Sequence, residues 1–339
     1  MDLFAFTRQL IDIPSVSGDE MAVARFLAEH LEMAGYQTEL QEVEENRANV
    51  IAAGERSPRV VLSTHLDTVP PHIAASEDDE YIYGRGACDA KGIIAAQIFA
   101  AERLRAEGIN DIGLLFTVDE EQASLGARAA NRHRLARSCQ FLINGEPTDN
   151  LLATGSKGSL RVSIKTTGRA AHSAYPEHGE SAIEKLLDVL REVRDYDWPR
   201  DEFFGETTVN VGTIAGGTRS NVVPAEAEAV LHIRLTAPSE VVKEALERIA
   251  AGRAKVEYLS VSEPVRMLAV EDFEQTVVRF TTDITYLDDW GRPLLIGPGS
   301  ILDAHTAHER VSKRELERAV ELYVRLVRHM RSEAAEGEA

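Results

Sequence analysis

Five side chains that could bind a metal or move a proton stand at the ends of short apolar runs. His65 and Asp67 follow Val60–Thr64, Asp89 precedes a helical pattern, and Glu120 and Glu121 follow Leu114–Val118. Runs of this kind, bounded by Gly, Pro or polar residues, are typical of buried strands. Ligands of an open α/β sheet lie outside the carboxyl ends of its strands. Because imidazole and carboxylate groups bind borderline or hard divalent metals, the pattern predicts a metal-dependent hydrolase.

Some of these residues, taken singly, also fit an ordinary structural role. His65-x-Asp67 places two side chains on one side of a strand, but an isolated histidine at a strand end is more often merely hydrogen-bonded. Asp89 lies in GRGACDAKG just before a helix, where an aspartate commonly caps the helix. The glycines beside it would equally permit the close backbone approach that a metal-bridging carboxylate needs.

Glu120-Glu121 is harder to explain without a cation. Adjacent carboxylates at the end of an apolar strand repel each other and lose solvation. One can bind a metal while the other acts as a general base towards a water molecule. A solvated acidic turn is the alternative. Glu146 in INGEPT and His305 in AHTAHE also follow strands or loops, and either could be an ordinary surface residue.

Composition excludes several classes of partner. The 37 Lys and Arg against 56 Asp and Glu give a net charge of −19, which argues against a nucleic-acid or anionic-membrane partner. Two cysteines are too few for a disulfide framework and fit a reducing compartment. The N-terminal segment lacks the basic region of a signal peptide, and no apolar run reaches the length of a membrane span. We therefore expect a cytoplasmic protein.

The order of the elements predicts two domains. Strands alternate with helices up to about residue 150, which indicates a mixed or parallel sheet. Residues 158–263 read strand–helix–strand–strand–helix–strand, the order of a split βαβ sandwich. The α/β pattern then returns, with a helix predicted at Glu271–Thr282 and a final helix at Lys313–Met330. The prediction is a first domain of residues 1–157 and 264–339, interrupted by an inserted domain of residues 158–263.

Taken together, the motifs resemble the M20 family of metallopeptidases and amidohydrolases. That family includes acetylornithine deacetylase, succinyl-diaminopimelate desuccinylase, carboxypeptidase G2 and related aminoacylases. Eight motifs occur in the family's order over nearly the whole chain: SVSGDE, HLDTVP, GRGACDAKG, TVDEE, NGEPT, GRAAHSAYPEHG, SNVVP and GPGSILDAHTAHE. The resemblance implies an α/β, two-domain fold: a mixed-sheet, zinc-peptidase-like catalytic domain with an inserted ferredoxin-like α+β lid and dimerisation domain. It also implies a homodimer formed through the insert.

The resemblance implies two divalent metal ions, usually Zn²⁺, with Co²⁺ as a substitute. Asp89 would bridge the two ions, with the other ligands divided between them: His65 and Glu146 at one, Glu121 and His305 at the other. Glu120 would be the general base, and Asp67 would orient His65. The family's histidine matches His305 rather than His308, by its place before Thr and three residues after Leu302.

The inserted domain carries three further matches. His172 corresponds to a histidine that reaches the neighbouring subunit's site and stabilises the oxyanion there. Asn221 and Arg234 match residues that bind the substrate's carboxylate or the region of the scissile group. The fork of an arginine suits a carboxylate, although Arg234 could also be a plain charge at a strand edge.

The function expected from this resemblance is hydrolysis of the amide bond of an N-acylated amino acid. Enzymes of the acetylornithine or acyl-lysine deacetylase and succinyl-diaminopimelate desuccinylase types, which serve arginine and lysine biosynthesis, come first. A dipeptidase, a tripeptidase or a peptidase like carboxypeptidase G2 is the alternative within the enzyme class. No group for the free α-amine of a dipeptide is identifiable. A non-catalytic homologue that only binds metal or peptide is the alternative outside it.

Overall fold

The structure, a computed structural model, describes residues 2–54 and 56–336. The helices in these residues are α1 (Leu3–Asp12), α2 (Met21–Met33), α3 (Lys91–Ala106), α4 (Leu125–Ala130), α5 (Ala182–Asp195), α6 (Ser239–Ala250) and α7 (Lys313–Glu336). The strands are β1 (Gln37–Glu44), β2 (Arg47–Ala53), β3 (Val60–His65), β4 (Ser76–Glu77), β5 (Tyr81–Tyr83), β6 (Ile112–Thr117), β7 (Phe141–Asn144), β8 (Leu152–Ser156), β9 (Gly158–Thr167), β10 (Arg200–Asp201), β11 (Gly205–Glu206), β12 (Thr208–Gly216), β13 (Glu226–Leu235), β14 (Lys255–Ser262), β15 (Val265–Arg266), β16 (Gln275–Val278), β17 (Arg292–Leu295) and β18 (Arg310–Ser312). None of these helices combines the length and the apolar character that a membrane crossing requires.

The chain divides into two compact units. The first comprises Met1–Thr154, Met267–Thr276 and Thr282–Ala339, and the second comprises Gly155–Arg266 and Val277–Thr281. The sequence placed the insert at residues 158–263, within the second unit. Residues 1, 55 and 337–339 of the predicted first domain lie outside the described residues.

A mixed sheet forms the centre of the first unit. Its strand order is β1-β2-β6-β3-β7-β17-β8, and β3 runs parallel to both β6 and β7. Every residue of β3, β6 and β7 is buried, as expected for parallel strands covered on both faces. Leu62 of β3 packs into the core shared with α3 and α7, whereas Val61 packs against α4 and Trp290 on the opposite face.

The strand directions bring the predicted chemistry to one edge of this sheet. In register, His65 at the end of β3 lies opposite Thr117 at the end of β6. Ser63 lies opposite Asn144, the last residue of β7. The segments that carry Glu120, Glu121 and Glu146 therefore leave the sheet at the edge where His65 ends its strand.

The second unit has the predicted ferredoxin-like topology. Its antiparallel sheet has the order β12-β13-β9-β14, with α5 and α6 packed on one face. Burial alternates along β13 with a period of two, as expected where one face of a sheet packs on helices. The α/β class and the inserted ferredoxin-like domain are thus confirmed.

The helix predicted at Glu271–Thr282 is wrong. This segment contains β16 and is followed by a 3-10 turn at Asp283–Tyr286, in which the Thr282 side chain accepts the N–H of Ile284. The segment is rich in Thr and Val between residues 276 and 282. β-branched side chains lose rotamer freedom in a helix and pack well on a pleated sheet, so the local preference for strand prevails.

Candidate metal centre

Two histidines face the two oxygens of one buried carboxylate. Asp89 Oδ1 lies 2.9 Å from His65 Nε2, and Asp89 Oδ2 lies 3.2 Å from His305 Nε2. His305 Nε2 also lies 2.8 Å from Glu121 Oε1. Candidate ligand atoms of His65, Asp89 and Glu121 all lie within 4.8 Å of one another. The structure therefore brings together four of the five predicted metal ligands around Asp89.

Asp89 does not cap the helix that follows it. Helix α3 begins at Lys91, its N-cap residue is Ala90, and its first N–H groups receive no side-chain cap. The side chain of Asp89 instead faces His65 and His305. Although burial opposes it, hydrogen bonds with these two histidines hold the pKa of Asp89 below its usual value.

The fifth predicted ligand, Glu146, follows β7 and is almost completely buried. Its Oε1 atom has no hydrogen-bond partner among the described residues. Burial raises the pKa of the Glu146 carboxyl well above its usual value. A buried carboxylate is stable when it is paired or bound to a metal, so a cation at this position would satisfy the free oxygen.

Asp67 contacts both the His65 ring and the Glu120-Glu121 turn. Its main-chain carbonyl lies 2.9 Å from His65 Nδ1, so His65 Nδ1 carries the proton and Nε2 is left to face Asp89. The Asp67 carboxylate accepts the N–H of Glu120 at 3.0 Å and of Glu121 at 3.2 Å. Ser17 Oγ donates to the same carboxylate at 2.7 Å. One buried aspartate thus orients a histidine and the two-glutamate turn.

The two glutamates of the turn share with Glu146 a pKa that is raised by burial. Burial, followed by repulsion from Glu146, raises the pKa of Glu120 well above its usual value. Burial also raises the pKa of Glu121, whereas hydrogen bonds to Asp89 and Glu121 raise the pKa of His305 to about 10. A carboxyl with a raised pKa is suited to taking up and returning a proton near neutral pH.

Comparison with protein families gives two overlapping matches. The model of the M20 peptidase dimerisation domain matches residues 154–258. The model of peptidase family M28 matches residues 49–190, a range that includes the strands leading to His65, Glu121 and Glu146.

Relatives that match over most of the chain decide between these families. A peptidase M20 domain-containing protein of Schizosaccharomyces pombe is 36% identical over 337 residues, covering 96% of this chain and 84% of that protein. The chain belongs to the M20 peptidase family. A second relative, the Aspergillus terreus protein named "Probable carboxypeptidase", is 37% identical over 369 residues, covering 95% of this chain and 85% of that protein. The resemblance in the sequence is confirmed, and the chain is a hydrolase of the peptidase class.

The fold of this M20 peptidase is also similar to that of solved structures. A tripeptidase from Staphylococcus aureus superposes with a TM-score of 0.79 at 21% identity, covering 95% of this chain and 96% of that chain. Membership of this metallopeptidase family implies the use of divalent metal. The nitrogen and oxygen donors around Asp89, and the unpartnered oxygen of Glu146, fit that requirement.

The remaining predicted residues of the M20 peptidase lie in its second unit. His172 is exposed, and its Nδ1 accepts the N–H of Ala174 at 3.1 Å. His172 forms a β-bridge with Val222, next to the exposed Asn221, whose carbonyl accepts the N–H of Ser173 at 3.0 Å. The structure therefore brings His172 and Asn221 into one surface segment.

Arg234 lies elsewhere in that unit. It is near the end of β13, opposite Ser159 of β9 and Thr208 of β12. Because β13 is an interior strand, Arg234 is not a charge at a sheet edge. It is eight residues beyond Glu226, the start of β13, or roughly 26 Å along a strand that rises about 3.3 Å per residue. Within one copy, Arg234 thus lies far from the strand end next to the His172 segment.

Asp283 is a buried acid near the metal centre that the sequence did not indicate. Its Oδ2 accepts the Thr117 hydroxyl at 2.6 Å, and its Oδ1 has no hydrogen-bond partner among the described residues. Burial raises the pKa of Asp283 to about 6. Repulsion from Asp283 also raises the pKa of Glu120 and Glu146. Only the capping threonine before it marks a turn, and no local pattern connects Asp283 to Thr117, 166 residues away.

Proposed function

We propose that this M20 peptidase is a two-metal amidohydrolase that cleaves the amide bond of an N-acylated amino acid. The observation that carries the proposal is the position of Asp89, with one oxygen towards each of two histidines. A carboxylate so placed suits a bridge between two cations. His65 and Glu146 would complete one site, and Glu121 and His305 the other. Zn²⁺ suits nitrogen and carboxylate donors, and Co²⁺ is the expected substitute.

The chain's own residues account for the proton transfers. When bound, two divalent cations lower the pKa of a water molecule and polarise the carbonyl of the scissile amide. The main-chain N–H of Glu120 donates to the Asp67 carboxylate. The Glu120 carboxylate accepts the proton of the attacking water. Glu120 then returns that proton to the nitrogen of the leaving amine. Asp67 keeps the His65 ring and the Glu120-Glu121 turn in place throughout.

We further propose that residues 158–263 form a lid and dimerisation domain between the catalytic segments 1–157 and 264–339, and that His172 acts across a homodimer. The match to the M20 peptidase dimerisation domain supports this assembly. Because the N–H of Ala174 occupies His172 Nδ1, a neutral His172 carries its proton on Nε2. That N–H is free to donate to the oxyanion in the partner subunit's site.

The proposed substrate class is based on a chemical group that the substrates of carboxypeptidases and of deacylases have in common. An N-acetyl or N-succinyl amino acid and the C-terminal residue of a peptide present the same group, an acylated nitrogen beside a free carboxylate. Asn221 and Arg234 are the residues proposed to bind the substrate's carboxylate or the region of the scissile group. Deacylation of the acetylornithine or succinyl-diaminopimelate type, in amino-acid biosynthesis, is the first candidate. Carboxypeptidase action is the second, favoured by the name of the Aspergillus terreus relative. The two free cysteines, both buried, fit a cytoplasmic location.

A substrate screen tests the proposal. Protein loaded with Zn²⁺ or Co²⁺ is incubated with N-acetyl, N-succinyl and N-formyl amino acids, with N-blocked dipeptides and with free dipeptides. We expect release of an amino acid with a free α-carboxylate, and loss of that activity in Glu120→Gln. Cleavage of blocked dipeptides alone would select the carboxypeptidase function. No turnover of any of these compounds by metal-loaded protein would refute the proposed function.

A further inference from the structure

Glu309 makes an unusual set of contacts for a residue with no assigned role. It lies four residues after His305 and is almost completely buried. Its Oε1 atom accepts three main-chain N–H groups from the segment that carries Asp89: those of Gly86 at 2.9 Å, Asp89 at 3.2 Å and Cys88 at 3.3 Å. One carboxylate oxygen thus accepts hydrogen bonds from the main-chain N–H groups of the proposed bridging residue and of the segment before it.

Arg85 adds contacts to the loop of Glu309 and to one further segment. Its Nη1 donates to Glu309 Oε2 at 2.6 Å and to the carbonyl of Thr306 at 3.1 Å. Its Nε donates to the carbonyl of Pro71 at 3.3 Å. Arg85 is as buried as Glu309, so the pair is shielded from competing water and salt. Buried charge-assisted hydrogen bonds of this kind fix geometry strongly.

We call the pair of Arg85 and Glu309 the clamp. Its two residues belong to the two loops that carry the proposed ligands Asp89 and His305. Glu309 shares a loop with His305, and its side chain holds the main chain of Asp89. Arg85 shares a loop with Asp89, and its side chain holds the main chain of Thr306, next to His305. Each loop is therefore attached to the other by a side chain of its own. The distance between the Asp89 carboxylate and His305 Nε2 depends on both attachments.

We propose that Glu309 is a positioning residue that sets the separation of Asp89 and His305 and thereby the affinity of the site for divalent metal. The inference rests on the proposed metal centre, but it concerns the binding of metal and not the choice of substrate. Neither Glu309 nor Arg85 need touch metal or substrate for this role. Groups that orient metal ligands typically change metal affinity 10- to 100-fold when they are replaced.

The test is a measurement of metal affinity on folded apo-protein, by calorimetric titration with Zn²⁺ and by the absorption spectrum of bound Co²⁺. Glu309→Gln keeps an oxygen for the N–H groups but presents an uncharged amide to Arg85. We expect metal binding about 10- to 100-fold weaker and an altered Co²⁺ spectrum. Glu309→Asp keeps the charge on a shorter side chain and should recover part of the affinity.

Asp111→Asn is the matched control. Asp111 pairs with Arg331 Nε at 2.7 Å and is mostly buried, but it precedes β6 and so lies at the other end of that strand from Thr117. Its replacement should lower the unfolding temperature of the apo-protein and leave metal affinity unchanged. A clamp that served stability alone would behave in the same way as this control.

Two results would overturn the inference. One is a folded Glu309→Gln protein with wild-type affinity for both metal ions and a wild-type Co²⁺ spectrum. If Glu309→Gln does not fold, Arg85→Lys decides. The lysine keeps a positive charge beside Glu309 but cannot bond Thr306 and Pro71 together, so wild-type metal affinity in that variant also rejects the inference. Wild-type protein that binds two metal ions yet cleaves no amide would refute the proposed function and leave this inference standing.

Discussion

The carboxylate of Asp67 accepts the main-chain N–H of Glu120 at 3.0 Å, while the main-chain carbonyl of Asp67 lies 2.9 Å from His65 Nδ1. The proposed general base and a proposed metal ligand are therefore held by the same residue. Asp67 is completely buried, so it cannot exchange these partners for water. Its role is wider than the orientation of one histidine ring, which is what the sequence indicated.

We expect Asp67→Asn to reduce both metal affinity and turnover. The amide retains one acceptor oxygen, but its NH₂ group faces an N–H donor of the Glu120-Glu121 turn, which leaves a buried donor without an acceptor. By analogy with other groups that orient metal ligands, the loss should be about 10- to 100-fold in each quantity. Calorimetric metal titration and kcat/KM on the best substrate of the screen measure the two effects. Values within twofold of wild type for both would show that Asp67 is dispensable.

Glu120→Gln should retain metal and lose turnover. The amide is similar in size to the carboxylate but cannot accept the proton of the attacking water, and loss of a general base typically costs about 10²- to 10⁴-fold in rate. Metal content by atomic emission should remain at the wild-type value. Glu45→Gln, at an exposed position, is the control for a glutamate-to-glutamine change. Near-normal kcat in Glu120→Gln would remove Glu120 from the mechanism.

The buried Asp283 predicts a pH dependence of apo-protein stability. Its pKa is raised from 3.8 to about 6 by burial, so the folded state binds this proton more tightly than the unfolded state does. The stability contributed by the protonated carboxyl is complete below pH 3.8 and is lost as the pH rises through 6. Asp283→Asn keeps an acceptor for Thr117 and removes the titration. We therefore expect the unfolding temperature of metal-free Asp283→Asn to fall less than that of wild type between pH 4 and pH 7.

Asp289→Asn provides the comparison for Asp283, because it changes an exposed aspartate in the next turn of the same segment. Its unfolding temperature should follow the wild-type pH profile. Calorimetric scans in the presence of a chelator give both profiles. Parallel profiles for Asp283→Asn and wild type would mean that Asp283 does not titrate in this range in the folded protein.

A subunit-mixing experiment tests the proposed action of His172 across a dimer. His172→Ala and Glu120→Gln proteins, each expected to be inactive alone, are dissociated, mixed and reassociated. If His172 serves the neighbouring site, a mixed dimer contains one site with an intact Glu120 and an intact His172 of the partner subunit. Activity above that of the two separate variants is expected. Verified mixed dimers without activity would assign His172 to its own chain.

The sequence predicted the parts of the site that depend on strand ends. His65, Glu121 and Glu146 follow three apolar runs, and parallel pairing of those strands brings their ends to one edge. Asp89 and His305 were recognised from their motifs, since neither follows a strand. Burial is encoded locally in the apolar runs, and the alternation of strands with helices indicates how those strands pair.

The groups that support these ligands were not predictable in the same way. Glu309 bonds a segment about 220 residues earlier, and Asp283 bonds Thr117 across 166 residues. Such contacts depend on how loops that are distant in sequence pack together, and the local periodicity of apolar residues does not predict this. Asp283 was further obscured because the β-branched segment before it was assigned to a helix. The sequence thus predicted the proposed ligands of the centre and the role of Asp67 at His65, but not the contacts that Glu309 and Asp283 make.

Glu309 is far in sequence from the main-chain N–H groups that it accepts, and this separation has a consequence during translation. When the Asp89 segment leaves the ribosome, the acceptor for its N–H groups has not yet been made. At about 5–20 residues per second, the intervening chain takes roughly 10–40 s to synthesise, and it includes the whole of Gly155–Arg266. His305 emerges only just before Glu309. A nascent chain therefore lacks both a proposed ligand and the clamp for most of its synthesis, so the proposed metal centre is completed only after the inserted unit has been synthesised.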